Sequence, residues 1–183
     1  LSVLVNGKTY ALGTDTELTA SAATWSLSVP ASDELSGQTY EVSVTATDAA
    51  GNSSSDTSAS ELEIDLTVPE NQDTVFSADQ TVQGGVAVTL ASASGELKVW
   101  FAPSNITSVA GLNVIDGSTM SSAAGGGTSL YSPDVTGSYK LYVVDAAGNI
   151  SAASTAALTV DNTSPTVPTV TSLITNSTMP TIT

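Results

Sequence analysis

Two five-residue segments of this chain are identical: Asp48-Ala-Ala-Gly-Asn52 and, 97 positions later, Asp145-Ala-Ala-Gly-Asn149. Each sets a carboxylate and a carboxamide four residues apart around small residues, so one loop can present several oxygens. A second pair, Asp65-Leu-Thr-Val-Pro69 and Asp161-Asn-Thr-Ser-Pro165, recurs at a spacing of 96. Oxygen ligation is the chemistry these residues offer: Ca2+ takes about six to eight oxygens from carboxylates, amides and backbone carbonyls. Each motif also has a purely structural explanation. Asp-Ala-Ala-Gly-Asn makes an ordinary tight turn, with Asp bonding local amides and Gly or Asn at positive φ. Asp65 and Asp161 can equally well start a linker whose Pro fixes φ.

Composition narrows the chemistry further. The chain has 183 residues, 18 Asp and Glu against 3 Lys, a net charge of −15, no His and no Cys. Ser–His–Asp and Cys–His nucleophiles, a zinc site of the usual ligands and a disulfide framework are therefore excluded. So few cations argue against nucleic acid, which is bound mostly through Lys and Arg. No run approaches the roughly 18 apolar residues of a membrane span, and no stretch reads as a signal peptide. Paired carboxylates could in principle hydrolyse glycosides, but none sits in the apolar surroundings that would raise one of them. The expectation is a protein without a catalytic site. With three Lys as the only cations, metal or solvent is expected to neutralise clustered carboxylates.

These loops must be carried by strands. Glu41-Val-Ser-Val-Thr-Ala-Thr alternates, placing Val42, Val44 and Ala46 on one face, and Tyr139, Leu141 and Val143 do the same in the second copy. Leu62/Ile64/Leu66 and Ala156/Leu158/Val160 repeat the pattern in the closing strands. Further strands are expected at 2–5, 25–29, 86–90 and 97–101, with Gly and Pro between them and no convincing helical stripe. Short strands every 8–12 residues in a unit of about 100 define an all-β, immunoglobulin-like Greek-key β-sandwich, present here in tandem. The units are residues 1–69, short at its front by about 28 residues, and residues 70–165. Residues 166–183 begin a third. Three arrangements fit: a long array cut out of phase, a tail completing another copy's first unit by strand exchange, or a tail returning to its own head.

Val5-Asn-Gly-Lys-Thr-Tyr10, Trp25-Ser-Leu-Ser-Val-Pro30, the stretch from Tyr40 to Asn52 and the Asp-x-Thr-x-Pro joins resemble the immunoglobulin-like repeats of large type-I-secreted RTX adhesins of bacteria. Tyr139-Lys-Leu-Tyr-Val-Val-Asp-Ala-Ala-Gly-Asn-Ile-Ser resembles the end of another such repeat, and 166–183 the start of one. The nonapeptide calcium repeat of those proteins is absent. The resemblance implies an extracellular, cell-surface protein and long stalks stiffened by calcium, with ligand-binding domains near the far end.

In an immunoglobulin-like topology the loop between the last two strands lies at the end where the first strand begins. The Asp145–Asn149 loop should therefore face the linker that enters its unit, in a join resembling that of cadherins. The expected Ca2+ ligands there are Glu63, Asp65 and Glu70 from the linker and Asp145 and Asn149 from the loop. Asp48 and Asn52 should occupy the free front of the first unit, and Asp161 and Asn162 should face whatever follows Pro165. Asp15/Glu17, Asp33-Glu34 and Asp79 read as solvated faces, while Asp116 and Asp134 could line a second loop-end site. The partners are then neighbouring modules of the same adhesin. A rival reading is a calcium-dependent peptide- or glycan-binding module, because Trp100, Phe101, Tyr131, Tyr139 and Tyr142 and the long 102–138 region lie in the second unit. An aromatic-lined concavity there would favour binding, a flat Ser/Thr surface a stalk. The competing view makes Trp100 and Tyr142 core and Gly125–Gly127 a loose connector.

Overall fold

The computed structural model describes residues 1–56, 58–113 and 118–182. The first unit contains β1 (Ser2–Val5), β2 (Lys8–Ala11), β3 (Leu18–Ser21), β4 (Thr24–Leu27), β5 (Gln38–Tyr40), β6 (Val42–Thr47), β7 (Ser53–Ser55) and β8 (Leu62–Ile64). The second begins with a one-turn helix, α1 (Gln72–Val75), followed by β9 (Gln80–Val82), β10 (Ala87–Thr89), β11 (Lys98–Ala102), β12 (Ser121–Ala124), β13 (Ser129–Tyr131), β14 (Gly137–Val144) and β15 (Leu158–Val160). Among the described residues no strand of one unit pairs with a strand of the other. The chain is all-β, as its alternating pattern predicts.

The second unit is a sandwich of a five-stranded sheet, β12-β11-β14-β15-β9, and a two-stranded sheet, β10-β13. Among the described residues of this unit only the β15–β9 pair is parallel, Leu158 opposite Gln80 and Val160 opposite Val82; the other pairs are antiparallel. This is the immunoglobulin-like arrangement, with the first strand laid alongside the last. Between the sheets lie Val88, Leu90, Val99, Phe101, Leu130, Tyr139, Leu141, Val143, Leu158 and Val160, all buried. Helix α1 closes one end of this core by setting Phe76 edge-on to Phe101, ring centroids 5.2 Å apart. The opposite face of β11 and β14 is buried as well: Trp100, Ala102, Tyr142 and Val144 lie beneath Ile106, Leu112, Met120, Ile150 and Ala153. Both faces being covered explains the uninterrupted apolar runs Val99–Ala102 and Leu141–Val144. Trp100 and Tyr142 are thus core residues.

The first unit repeats part of this plan. Its main sheet runs β2-β1-β6-β7, and Val3 opposite Val44 matches Phe101 opposite Leu141. In each unit a tyrosine hydroxyl donates to the carbonyl four residues upstream, Tyr40 to Ser36 at 3.1 Å and Tyr139 to Val135 at 2.7 Å. That is the tyrosine corner of immunoglobulin-like sandwiches. Tyr40 lies eight residues before Asp48, whereas Tyr139 lies six before Asp145. The two extra residues of the first unit lie between Tyr40 and Val44, where β5 and β6 separate at Glu41 and the Val42 amide donates to the Glu61 carboxylate at 3.0 Å.

In the second unit α1, β9 and β10 precede β11. The core within residues 1–69 is the less covered of the two. Val3, Val5, Tyr10, Leu18 and Tyr40 are buried, but Leu27, Val42, Val44, Leu62 and Ile64 only partly so. Residues 166–182 form no strand and are exposed throughout.

Candidate metal centre

Both Asp-Ala-Ala-Gly-Asn segments form the same turn. In the first, the Asp48 carboxylate accepts from the amides of Ala50 and Asn52, each at 2.9 Å, and from the Asn52 side chain at 2.8 Å. In the second, Asp145 accepts from the Asn149 amide at 2.8 Å and its side chain at 2.9 Å. Gly51 and Gly148 sit at φ of 90° and 93°, a left-handed conformation that a side chain would strain. Asp48 is held below the ordinary carboxylate range chiefly by the Asn52 side chain and backbone. Burial works to raise the Asp145 carboxyl, but the Asn149 side chain and the amides of Asn149, Gly148 and Ala147 outweigh it and pull it down.

The two turns differ in what they face. The Asp48–Asn52 turn is exposed and makes no hydrogen bond to the linker among the described residues. The Asp145–Asn149 turn meets the linker: the Asn149 side chain donates to the Asp65 backbone carbonyl at 3.0 Å. The loop before β11 lies beside the same turn, because the Leu97 amide bonds the Val144 carbonyl at 2.8 Å. That loop carries Glu96, which accepts from the Asn71 side chain at 3.3 Å. Pro69, between the linker and α1, is buried. Linker, Glu96 loop and Asp145 loop therefore converge on one end of the second sandwich, where the topology puts them. Two oxygens at the chain's entry to this unit, Asn71 Oδ1 and Gln72 Oε1, are buried without a hydrogen-bond partner. Buried, unpaired oxygens are costly and suit a bound cation or water. Glu96 and the orphan oxygens were missed in the sequence, where Glu96 has no repeated partner to flag it.

The carboxylates themselves do not crowd together. Among the described residues no group of three or more Asp or Glu side chains is gathered closely enough to hold an ion. Asp65 Oδ1 accepts from the Thr67 amide at 2.9 Å, and Asp161 Oδ1 from the Thr163 amide at 2.8 Å, the same local turn at both joins. The Thr163 amide is the main cause of the lowered Asp161 carboxyl. Glu63 lies on the outward face of β8 and Glu70 is exposed. Asn162 is engaged within its own unit: its oxygen accepts from the Gly84 amide and its nitrogen donates to the Asp134 carbonyl, both at 2.8 Å.

The expectation that only metal or solvent could neutralise the acids needs correcting. Backbone amides take much of that role: Asp15 accepts from Ala11, Asp73 from Thr155 and Asp79 from Ala157. Asp33 pairs with Lys8 and also accepts from the Tyr10 hydroxyl at 2.8 Å. Those partners hold its carboxyl down, and Asp33 in turn raises Lys8. Amide hydrogen bonds to a carboxylate favour its charged form as a cation does.

The rival site was placed at 102–138. A cleft of about 510 Å3 opens there, lined by Leu97, Lys98, Trp100, Val109, Leu112, Asn113, Ser122, Val144 and Gly148. Its Trp100 is only 9% exposed, and the exposed Tyr131 is not among its walls. Gly125 is no loose connector: a Cβ there would stand 2.2 Å from the Glu96 carbonyl oxygen, so only glycine permits the approach. Asp134 is exposed, and Asp116 lies outside the described residues.

No family model matches the chain, and no curated protein matches it. Among solved structures, a surface glycan-binding protein of the Bacteroides ovatus mixed-linkage glucan utilization locus, SGBP-B in complex with a mixed-linkage heptasaccharide, is similar at 13% identity and a TM-score of 0.30. The match covers 88% of this chain and 37% of that one. So distant a likeness leaves the fold resting on strand order and register, and function on the seam.

Proposed function

We propose that this chain is a structural extender segment of a bacterial cell-surface adhesin, stiffened by Ca2+ where its sandwiches join. The observation that carries this reading is the Asn149 bond to the Asp65 carbonyl, 3.0 Å long and 84 residues apart in sequence. It ties the last loop of one sandwich to the linker leaving the other. Asp145 and Asn149, the Asp65 carbonyl and carboxylate, Glu70 and the nearby Glu96 offer the mixture of carboxylate, amide and backbone oxygens that Ca2+ uses. Glu63 stands on the outer face of β8 next to this linker. Bound there, the ion would supply charge that lets the acids approach one another, and the joint would lose freedom. Asp48 and Asn52 would serve the preceding joint in the same way, and Asp161 the following one.

Supporting this reading are two sandwiches built on one plan and joins of identical local turn. The glycan- or peptide-binding alternative draws on the cleft beside Trp100, whose aromatic face is largely covered, and on a groove in the first unit walled by the half-exposed Trp25 together with Asp56 and Glu61. A double-mutant cycle tests the proposal. Asp65→Ala and Asp145→Ala should each weaken Ca2+ binding measured by calorimetry, and the double variant should lose less than the sum. Strict additivity would count against a shared ion.

A further inference from the structure

Two of the chain's three lysines are engaged within the fold. Lys8 pairs with Asp33, and Lys140 donates to the Thr155 and Ala156 carbonyls at 2.6 and 3.2 Å. Lys98 has neither an ion pair nor a hydrogen bond among the described residues; its ammonium stands 5.9 Å from the centre of the Trp100 ring. With 18 Asp and Glu in the chain, an ammonium that none of the described carboxylates has claimed is the exception.

Lys98 also stands at a cleft. β11 sets Lys98 and Trp100 on one face, with Val144 opposite Lys98 and Ser122 opposite Trp100. Ile106, Leu112 and Met120 cover that face over Trp100 and Tyr142. The cover stops short of Lys98, which is exposed, and the cleft of about 510 Å3 opens there. Its walls are aliphatic and partly bare, Leu97 at 52% exposure and Val109 at 38%. The Asn113 carboxamide and the Ser122 hydroxyl also line it, and neither has a hydrogen bond among the described residues. Apolar walls with a few placed polar groups, at this size, make a small-ligand site.

We propose that this cleft binds an aliphatic carboxylate, its chain against Leu97, Val109 and Leu112 and its carboxylate on the Lys98 ammonium, within reach of donors from Asn113 and Ser122. Charge selects the head group. A single ammonium, in a chain without arginine, matches one carboxylate rather than a phosphate dianion, which takes several donors. The walls select the body. Trp100 is 9% exposed and gives a sugar ring little face to stack on, whereas the bare side chains are aliphatic. A short alkyl acid and the C-terminal residue of a peptide ending in leucine share this chemistry. The inference stands apart from the calcium reading.

Two-dimensional NMR of the 183-residue chain in chelator tests it. The probes are octanoate, octanol, glucuronate and an acetylated peptide ending in leucine, its C-terminus free or amidated. Octanoate or the free peptide, according to the ligand's source, should shift the Trp100 indole and Gly148 amide signals saturably. Octanol and the amidated peptide should bind about tenfold or more weakly, lacking the charge-assisted bond. Lys98→Met, which keeps the aliphatic stem, should lose a similar factor, and Lys98→Arg should retain binding. The absence of any saturable shift with either acid would overturn the inference. So would equal binding of acid and uncharged counterpart, unchanged binding by Lys98→Met, tighter binding of glucuronate, or shifts confined to Trp25.

Discussion

At the residue level the chain answers its surplus of negative charge mostly with its own backbone. Asp48 and Asp145 are each wrapped by turn amides and by the side chain of the Asn four residues on, and both carboxyls are held low. The linkage sign follows. A carboxyl lowered in the folded state binds fewer protons than the unfolded chain does. Its stabilisation is complete above the ordinary unfolded value of about 3.9 and is lost as pH falls through the lower folded value. In chelator, Asp145→Asn should therefore destabilise the protein to urea at pH 7, and the gap from the parent should close at acid pH below that range. An equal gap at both pH values would mean that charge plays no part. The repeated Asp, Gly and Asn of this turn could be read from the sequence because their spacing alone fixes the geometry. Asp15, Asp73 and Asp79 could not, since their amide partners Ala11, Thr155 and Ala157 depend on how distant loops meet.

At the level of elements, alternation locates the strands well. It places β1, β4, β6, β10, β11 and β15 to within a residue or two, because a half-buried strand must show one face to the core. It is silent on the third layer over Trp100 and Tyr142, where residues 103–112 cover the sheet with no periodicity of their own. The unbroken runs 99–102 and 141–144 are the trace this layer leaves. Hydroxyls also stand in for missing strand neighbours. Ser151 and Ser154, both buried, accept from the amides of Val143 and Leu141 at 2.9 Å. In the first unit a ladder of Thr45–Ser55 and Thr47–Ser53 hydroxyl bonds, 2.8 Å each, lines the exposed edge of β7. The unequal covering of equivalent strands has an energetic consequence. Leu158→Ala, in a closed core, should cost about 3–4 kcal/mol, within the usual range for buried leucine. Leu62→Ala, at the open edge, should cost about half as much or less. Denaturant unfolding of the two variants decides this, and equal losses would show that the first core is closed in solution.

For the whole molecule, two sandwiches are joined by a short linker with a buried proline, and the proposed calcium reading puts the stiffness of the chain at that seam. The shared turn of the two Asp-Ala-Ala-Gly-Asn segments and the meeting of the second with the linker were legible, because they follow from spacing and topology. Glu96 and the buried oxygens of Asn71 and Gln72 were not, since they reach the seam only through the fold of residues 70–97, which have no repeated motif to flag them. One measurement bears most directly on the central claim: small-angle X-ray scattering of the 183-residue chain at low concentration, in calcium and again after excess chelator. The account predicts a longer maximum dimension and a narrower pair-distance distribution with calcium, both relaxing on chelation. Identical profiles in the two conditions would contradict it.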